Sequence, residues 1–367
     1  MTTRPTLASW ARPGLLAYGG ARALTLAFLI IRALLDHLSI SAQLRRWDGR
    51  WFLQYATSLP SHLPFSDGHV AQNPLAFFPL FPLLLRGVHQ YGHVPLVTAG
   101  VVLTTVSGAG AVWCVARLAF EVGGGEVARR TGVLVALAPG AFVFSLIYAE
   151  GFFLTFSALA LLCLLRQRWG LAAVTAALAT ATSPLGLCLS VPAAVTLWRQ
   201  WRRDEQPVAL GAALAPPAAF AAYMLYLWIH TGQMRAWFLT EHGGWHSYFT
   251  LRFSPHVLWV FAANPVAPTL TQHLLLWGTL TGAALCVVLV RSALPTELIT
   301  YGLASAALSA CSAPIGLRPR FLLCAYPLLI GLSTRLPSRW WRPTWVLSAI
   351  LLALMSVEEL ISSAIFP

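Results

Sequence analysis

The sequence predicts an all-α, polytopic transmembrane helical bundle of about nine to eleven spans, and three observations carry that reading. Of the 367 residues, 57% are hydrophobic and only 10% charged, whereas a soluble domain carries about 25% charged residues. Apolar segments of about 20 residues recur along the whole length. The arginines fall mostly between those segments, and mostly on one side of the map they imply. Together these features exclude an ordinary cytosolic enzyme, a disordered tail and a secreted disulfide scaffold.

The formal charge of +12 comes from 24 basic residues, all of them arginine. Because they are dispersed between apolar segments, they mark topology rather than a nucleic-acid surface. The six cysteines lie inside apolar runs without C-x-x-C spacing and read as small buried residues. No Walker A motif is present, and no soluble Rossmann domain would fit.

In chain order, apolar runs at 15–35, 95–116, 131–147, 151–165, 170–182, 185–198, 208–229, 269–290, 294–313, 321–334 and 344–366 are the predicted spans. No small-residue cleavage motif follows the first run, so it reads as a retained span. Within it, Arg32 is expected to snorkel outward and Arg22 toward the inner interface. Several runs are shorter than a crossing, and Pro184, Pro216 and Pro217 interrupt others. Broken helices persist in a bilayer only where protein or a water-filled cavity satisfies their backbone, so a cavity is expected.

With a cytoplasmic N-terminus, fourteen of the 24 arginines fall in cytoplasmic segments. All ten histidines then lie on or next to the outer face. Two long loops also face outward. Residues 36–94 contain a second apolar stretch, Ala76 to Val88, broken by Pro79 and Pro82 and expected as interfacial helices. Residues 230–268 are rich in Trp, His and Phe. No tandem repeat appears, and residues 1–367 read as one membrane domain.

The most informative stretch is Arg45-Arg46-Trp47-Asp48-Gly49-Arg50-Trp51-Phe52, directly after the first span. Neighbouring cations keep Asp48 ionised while aromatic walls limit its hydration. That suits a group that accepts a proton or binds a sugar hydroxyl; the alternative is an interfacial Trp/Arg anchor. Arg318 and Arg320, between Pro314, Pro319 and the next apolar run, could present planar forks to a phosphate or face lipid headgroups. Glu150 is a lone carboxylate between apolar runs, either a site group or a helix-packing ion pair. The loop Glu241-His242-Gly243-Gly244-Trp245-His246 offers substrate contacts through His242 and Trp245. Its histidines at i and i+4 in a glycine loop are not a helical metal pair, so no metal site is assigned. Asp67, His62 and His69 form a second, weaker cation candidate.

The motif Trp47-Asp48-Gly49-Arg50-Trp51-Phe52-Leu53, followed by Ala76-Phe77-Phe78-Pro79-Leu80-Phe81-Pro82-Leu83, resembles PIG-V-like mannosyltransferases of the GT-C superfamily. Tyr148-Ala149-Glu150-Gly151-Phe152-Phe153 is similar to that family's Y-x-E-x-x-F segment, and Arg320-Phe321 ahead of Tyr326-Pro327 to its late R-Y/F…P segment. Thr182-Ser183-Pro184-Leu185-Gly186 departs from the family pattern: Ser183 stands where an arginine is expected.

The resemblance implies a GT-C-type bundle in the cell membrane with an extracytoplasmic site. It implies a lipid-linked donor, commonly polyprenyl-phosphate mannose, and a lipid, glycan or protein acceptor. Asp48 would be the base of an inverting transfer, Arg320 and Arg318 would bind the donor phosphate, and Trp47, Arg50, Tyr148 and Glu150 would contact substrate. No cofactor or metal is implied, and no nucleic acid. A secondary transporter or lipid flippase also carries broken helices and intramembrane charges. Such a protein would place its site near the midplane between repeats, whereas these candidates crowd one interface. A non-catalytic homologue is the third reading, favoured by Ser183.

Overall fold

The computed structural model describes residues 7–66, 68–263 and 269–358. Asp67 and the last residues of the final predicted span therefore lie outside the described residues. Helix α1 (Leu7–Leu35) has 29 residues, about 43 Å of helix at 1.5 Å per residue. At its end Asp36 accepts hydrogen bonds from Arg32 Nε at 2.7 Å and Gln43 Nε2 at 2.9 Å. That junction fixes α2 (Ile40–Leu44), capped by the Ser39 hydroxyl, and then α3 (Trp47–Thr57). A two-residue hairpin, β1 (Phe65–Ser66) with β2 (His69–Val70), leads to α4 (Leu80–Gly92). Arg86 on α4 donates to the Ala56 and Tyr55 carbonyls at 2.7 and 3.1 Å, closing the open end of α3.

Helix α5 (Leu96–Leu137) is broken at Gly124, whose φ of 75° suits only a residue without a side chain. Gly132 lies against Ala116, eight residues on the other side of the break, so the chain doubles back there. The predicted loop between 116 and 131 is thus helix on both sides of one glycine. Its charges pair along the helix, Arg117 with Glu121 at 2.9 Å and Arg130 with Glu126 at 2.7 Å, so helix continues past the apolar part. A 3₁₀ turn, Pro139–Ser145, follows and meets α6 (Glu150–Leu165) at 113°. Arg22 does not reach the interface: its Nη1 donates to Ser145 Oγ of this turn at 2.6 Å.

The chain continues through α7 (Trp169–Thr180), a 3₁₀ turn at Pro184–Leu189, α8 (Ser190–Arg202) and α9 (Leu210–Thr231). The second long loop holds α10 (Ala236–Leu239), a π turn (Thr240–Gly244), β3 (Tyr248–Phe249) and α11 (Phe253–Ala263). Helices α12 (Leu270–Val290) and α13 (Thr296–Ala310) come next, then β4 (Ser312–Ala313), α14 (Pro319–Cys324), α15 (Pro327–Arg335) and α16 (Ser338–Val357). Strand β3 pairs antiparallel with β4, tying this loop to the connection ahead of α14.

Among the described residues, five helices are long and apolar enough to cross a membrane: α1, α5, α9, α12 and α16; a sixth is the bent pair before and in α6. The chain is a multi-pass, all-α membrane protein. The other predicted spans are helices of 9 to 15 residues: α7, α8, α13 and α15. Hydropathy cannot distinguish a crossing from a short helix that turns back inside protein, and Pro139, Pro184 and Pro327 stand at those breaks. Tyr148, Tyr301 and Tyr326 are fully buried, the rings of Tyr301 and Tyr326 lying 5.6 Å apart.

Arginines gather at one end of this bundle. Arg166 pairs with Glu121 at 2.8 Å and Arg199 with Glu297 at 3.2 Å. Arg130 Nη1 donates to the Leu336 carbonyl at 2.6 Å, and Arg335 donates to the Arg291 carbonyl. The two long loops occupy the other end.

Candidate active site

Three elements far apart in sequence meet at the loop-bearing end. Asp48 is in the first turn of α3, Glu150 is the first residue of α6, and Arg320 is in the first turn of α14. Arg320 Nη1 donates to Asp48 Oδ2 at 2.7 Å across 272 residues of chain. Its Nε lies 3.3 Å from Glu150 Oε1. All three side chains are only 13–14% exposed. The guanidinium also sits over the Tyr148 ring at 5.1 Å and the Phe321 ring at 4.6 Å.

Helix starts explain the placement. A carboxylate in a first turn is stabilised by the unpaired amides and the helix dipole, whereas a cation there is not. Arg320 therefore depends on the two acids for its position. Trp47, just before Asp48, has φ 48°, a left-handed value that costs a non-glycine residue about 1–3 kcal/mol. Gly49 and Gly140 permit the close packing. A side chain at Gly49 would meet the Leu44 carbonyl at 2.7 Å, and one at Gly140 would collide with the Pro319 and Arg320 backbone.

An aromatic wall stands beside the triad. Trp245 meets Trp51 edge-on at 5.6 Å and Phe77 at 5.4 Å, and Phe52 bridges Phe77 and Phe81 at 4.8 and 5.0 Å. Trp245 arrives from the second long loop because Gly243 and Gly244 lie directly on Val70 and Ala71. Arg50 is exposed over the Trp51 ring at 4.9 Å, and Arg46 covers Trp47 at 5.4 Å.

The remaining predicted residues spread around this centre. Arg318 is the residue before α14, and its Nη2 donates to the Pro314 carbonyl at 3.4 Å. His242 is exposed on the π turn, 6.2 Å from the Tyr248 ring. Ser183 caps the 3₁₀ turn at Pro184, accepting from Leu185 N at 3.4 Å.

Glu241 is the residue that sequence reasoning left unassigned. Burial pushes its carboxyl up to about 7; a hydrogen bond with Ser247 opposes the rise, and the charge of Asp48 adds to it. The acid-plus-aromatic loop was the available signal, but its proximity to Asp48 depends on the fold. Among the described residues, no group of three His, Cys, Asp or Glu side chains is gathered as a metal cage.

A buried acid–arginine–acid cluster at the mouth of a broken-helix bundle can bind a hydroxyl, hold a proton and face a phosphate. Comparison of the backbone with solved structures places the fold. ArnT from Cupriavidus metallidurans in the apo state matches with a TM-score of 0.53 and 16% identity, covering 84% of this chain and 59% of ArnT. The same protein bound to undecaprenyl phosphate matches with a TM-score of 0.51 and 15% identity, covering 90% of this chain and 63% of that one. This is the GT-C fold. An oligosaccharyltransferase from Archaeoglobus fulgidus aligns more distantly, at a TM-score of 0.44 and 13% identity over 90% of this chain and 55% of that one. The chain spans about three fifths of the length of these GT-C proteins. No family model and no curated protein matches the sequence.

Proposed function

We propose that the chain is a membrane glycosyltransferase that moves mannose from polyprenyl-phosphate mannose to an acceptor hydroxyl at the extracytoplasmic face. The observation that carries this reading is the Arg320 bridge between Asp48 and Glu150, at the loop-bearing end of a GT-C fold. Asp48 is the base. It takes the acceptor proton as that oxygen attacks the anomeric carbon, and the donor phosphate leaves from the opposite face, inverting the centre.

Arg320 Nη1 occupies Asp48 Oδ2 at 2.7 Å, so that oxygen is not open to an acceptor hydroxyl while the bridge stands. The arriving phosphate relieves that restraint, because it competes for the same planar fork. Arg320 then neutralises the leaving group, Glu150 keeps it in place, and Asp48 Oδ2 opens to the acceptor hydroxyl when donor is bound. Arg318 adds positive field, and Trp51, Phe77 and Trp245 wall the sugar. A phosphate needs no acid to leave, so the reaction calls for no resident cofactor.

Proteoliposomes given radiolabelled polyprenyl-phosphate mannose test the reading, with polyprenyl-phosphate glucose as a parallel donor. Mannose leaving the lipid for an acceptor supports it. Asp48→Asn, which keeps shape but not basicity, should cut transfer by about 10²–10⁴-fold. Label leaving only from another donor would reassign the sugar, and undiminished transfer by the Asn variant would remove Asp48 as the base.

A further inference from the structure

At the opposite end of the bundle, α1, α16 and the second half of α5 leave a cleft of about 430 Å³. Ala17, Gly20 and Leu24 line it along one face of α1, and Trp345 and Leu352 line it along α16. Helices α1 and α16 belong to the membrane-crossing set, so the cleft between them opens toward lipid. Arg129 stands at its mouth, 37% exposed, with its guanidinium 5.7 Å from the Trp341 ring.

The mouth carries net positive charge. Glu126 accepts hydrogen bonds from both Arg129 and Arg130, so one carboxylate answers two guanidinium groups. Trp10 clusters with Ala128, which brings the start of α1 to the same level, and Arg12, Arg339 and Arg342 are exposed at this end.

We propose that this cleft binds an anionic phospholipid of the surrounding bilayer, one acyl chain lying between α1 and α16 and the headgroup phosphate against Arg129. An apolar trough within a bilayer is filled by a hydrocarbon chain, and any phospholipid supplies one. Selection comes from the mouth, where basic pockets between membrane helices favour anionic headgroups. Glu126 holds the Nε–Nη2 edge of Arg129, so the phosphate meets the net positive charge of the mouth at the remaining Nη1, and Trp341 lies 5.7 Å from the same guanidinium. The inference does not depend on the proposed transferase activity, because Asp48 and Arg320 lie at the other end of the bundle.

The purified full-length chain, offered equal amounts of dioleoylphosphatidylglycerol and dioleoylphosphatidylcholine, tests it by native mass spectrometry. A preference for the anionic lipid of about fivefold is expected, the worth of one guanidinium at a membrane surface. Arg129→Gln should bring the ratio close to one, while Arg129→Lys keeps most of it. Gly20→Leu should lower occupancy by both lipids, because nothing lies within 4 Å of a side chain added there and it would extend into the cleft. Equal binding of the two lipids by the unaltered protein would overturn the proposal. So would a preference that survives Arg129→Gln, or occupancy unchanged in Gly20→Leu, the variant least able to disturb folding.

Discussion

Arg320 serves two carboxylates at once, and that sharing sets what its substitution does. Arg320→Ala leaves Asp48 and Glu150 facing each other without a cation, each 13–14% exposed. Removing one partner of a buried ion cluster costs about 3–5 kcal/mol, so this variant should show a lowered thermal midpoint in detergent. Arg320→Lys keeps the charge and loses the fork. It should hold most of that stability yet bind the lipid-phosphate donor more weakly, a separation that unfolding and donor titration together would reveal. Glu241 supplies a pH signature. Its carboxyl is raised from 4.5 to about 7, so between those values the folded chain holds a proton that the unfolded chain has lost. Its contribution therefore makes stability fall as pH rises from 4.5 to 7, with no further change above. Unfolding followed across that window should give a shallower slope in Glu241→Gln; an identical slope would place the titration elsewhere.

At the scale of elements, the site depends on three helix starts being brought together, and the turn at Pro139–Ser145 supports two of them, α6 and α14. Gly140 lets the Pro319 and Arg320 backbone rest directly on that turn. Gly140→Val should push α14 away, separate Arg320 from Asp48 and abolish transfer, with a loss of donor binding as large as that of Arg320→Ala. A Gly140→Val protein with unchanged donor affinity would uncouple the turn from the site. Much of this centre was legible in the sequence, for stated reasons. Asp48 is an acid among arginines and tryptophans, Glu150 is an acid among apolar residues, and Arg320 is an arginine stiffened by Pro319, so each asked for a partner. Gly140, Gly49 and the reach of Glu241 were not legible, because each depends on which backbones touch. Span count was the other limit: α7 and α13 are as apolar per residue as a crossing and reveal their shortness only through packing.

For the whole molecule, the short helices settle an arithmetic that hydropathy leaves ambiguous. Helices that rise and return in pairs restore the chain to the end it left, so the net change of side comes from α1, the first half of α5, α9, α12 and α16. The arginine ends of those pairs then coincide. Arg166 reaches Glu121, Arg199 reaches Glu297, and Arg335 reaches the Arg291 carbonyl, all at the end opposite Asp48. A cluster of arginines in short connections is retained on the cytoplasmic side, so we propose that the Asp48 end faces outside, where a lipid-linked sugar would be consumed. Helix α9 allows a clean test, since Asp204 precedes it and Met234, 70% exposed, follows it. In a chain freed of its native cysteines, Met234→Cys should react with an impermeant thiol reagent in intact cells, and Asp204→Cys only after the membrane is opened. The reverse pattern would turn the bundle over and move the Asp48 centre to the cytoplasm. The transferase reading would then require a donor on that face, and the cleft at Arg129 would meet the outer leaflet instead of the inner one.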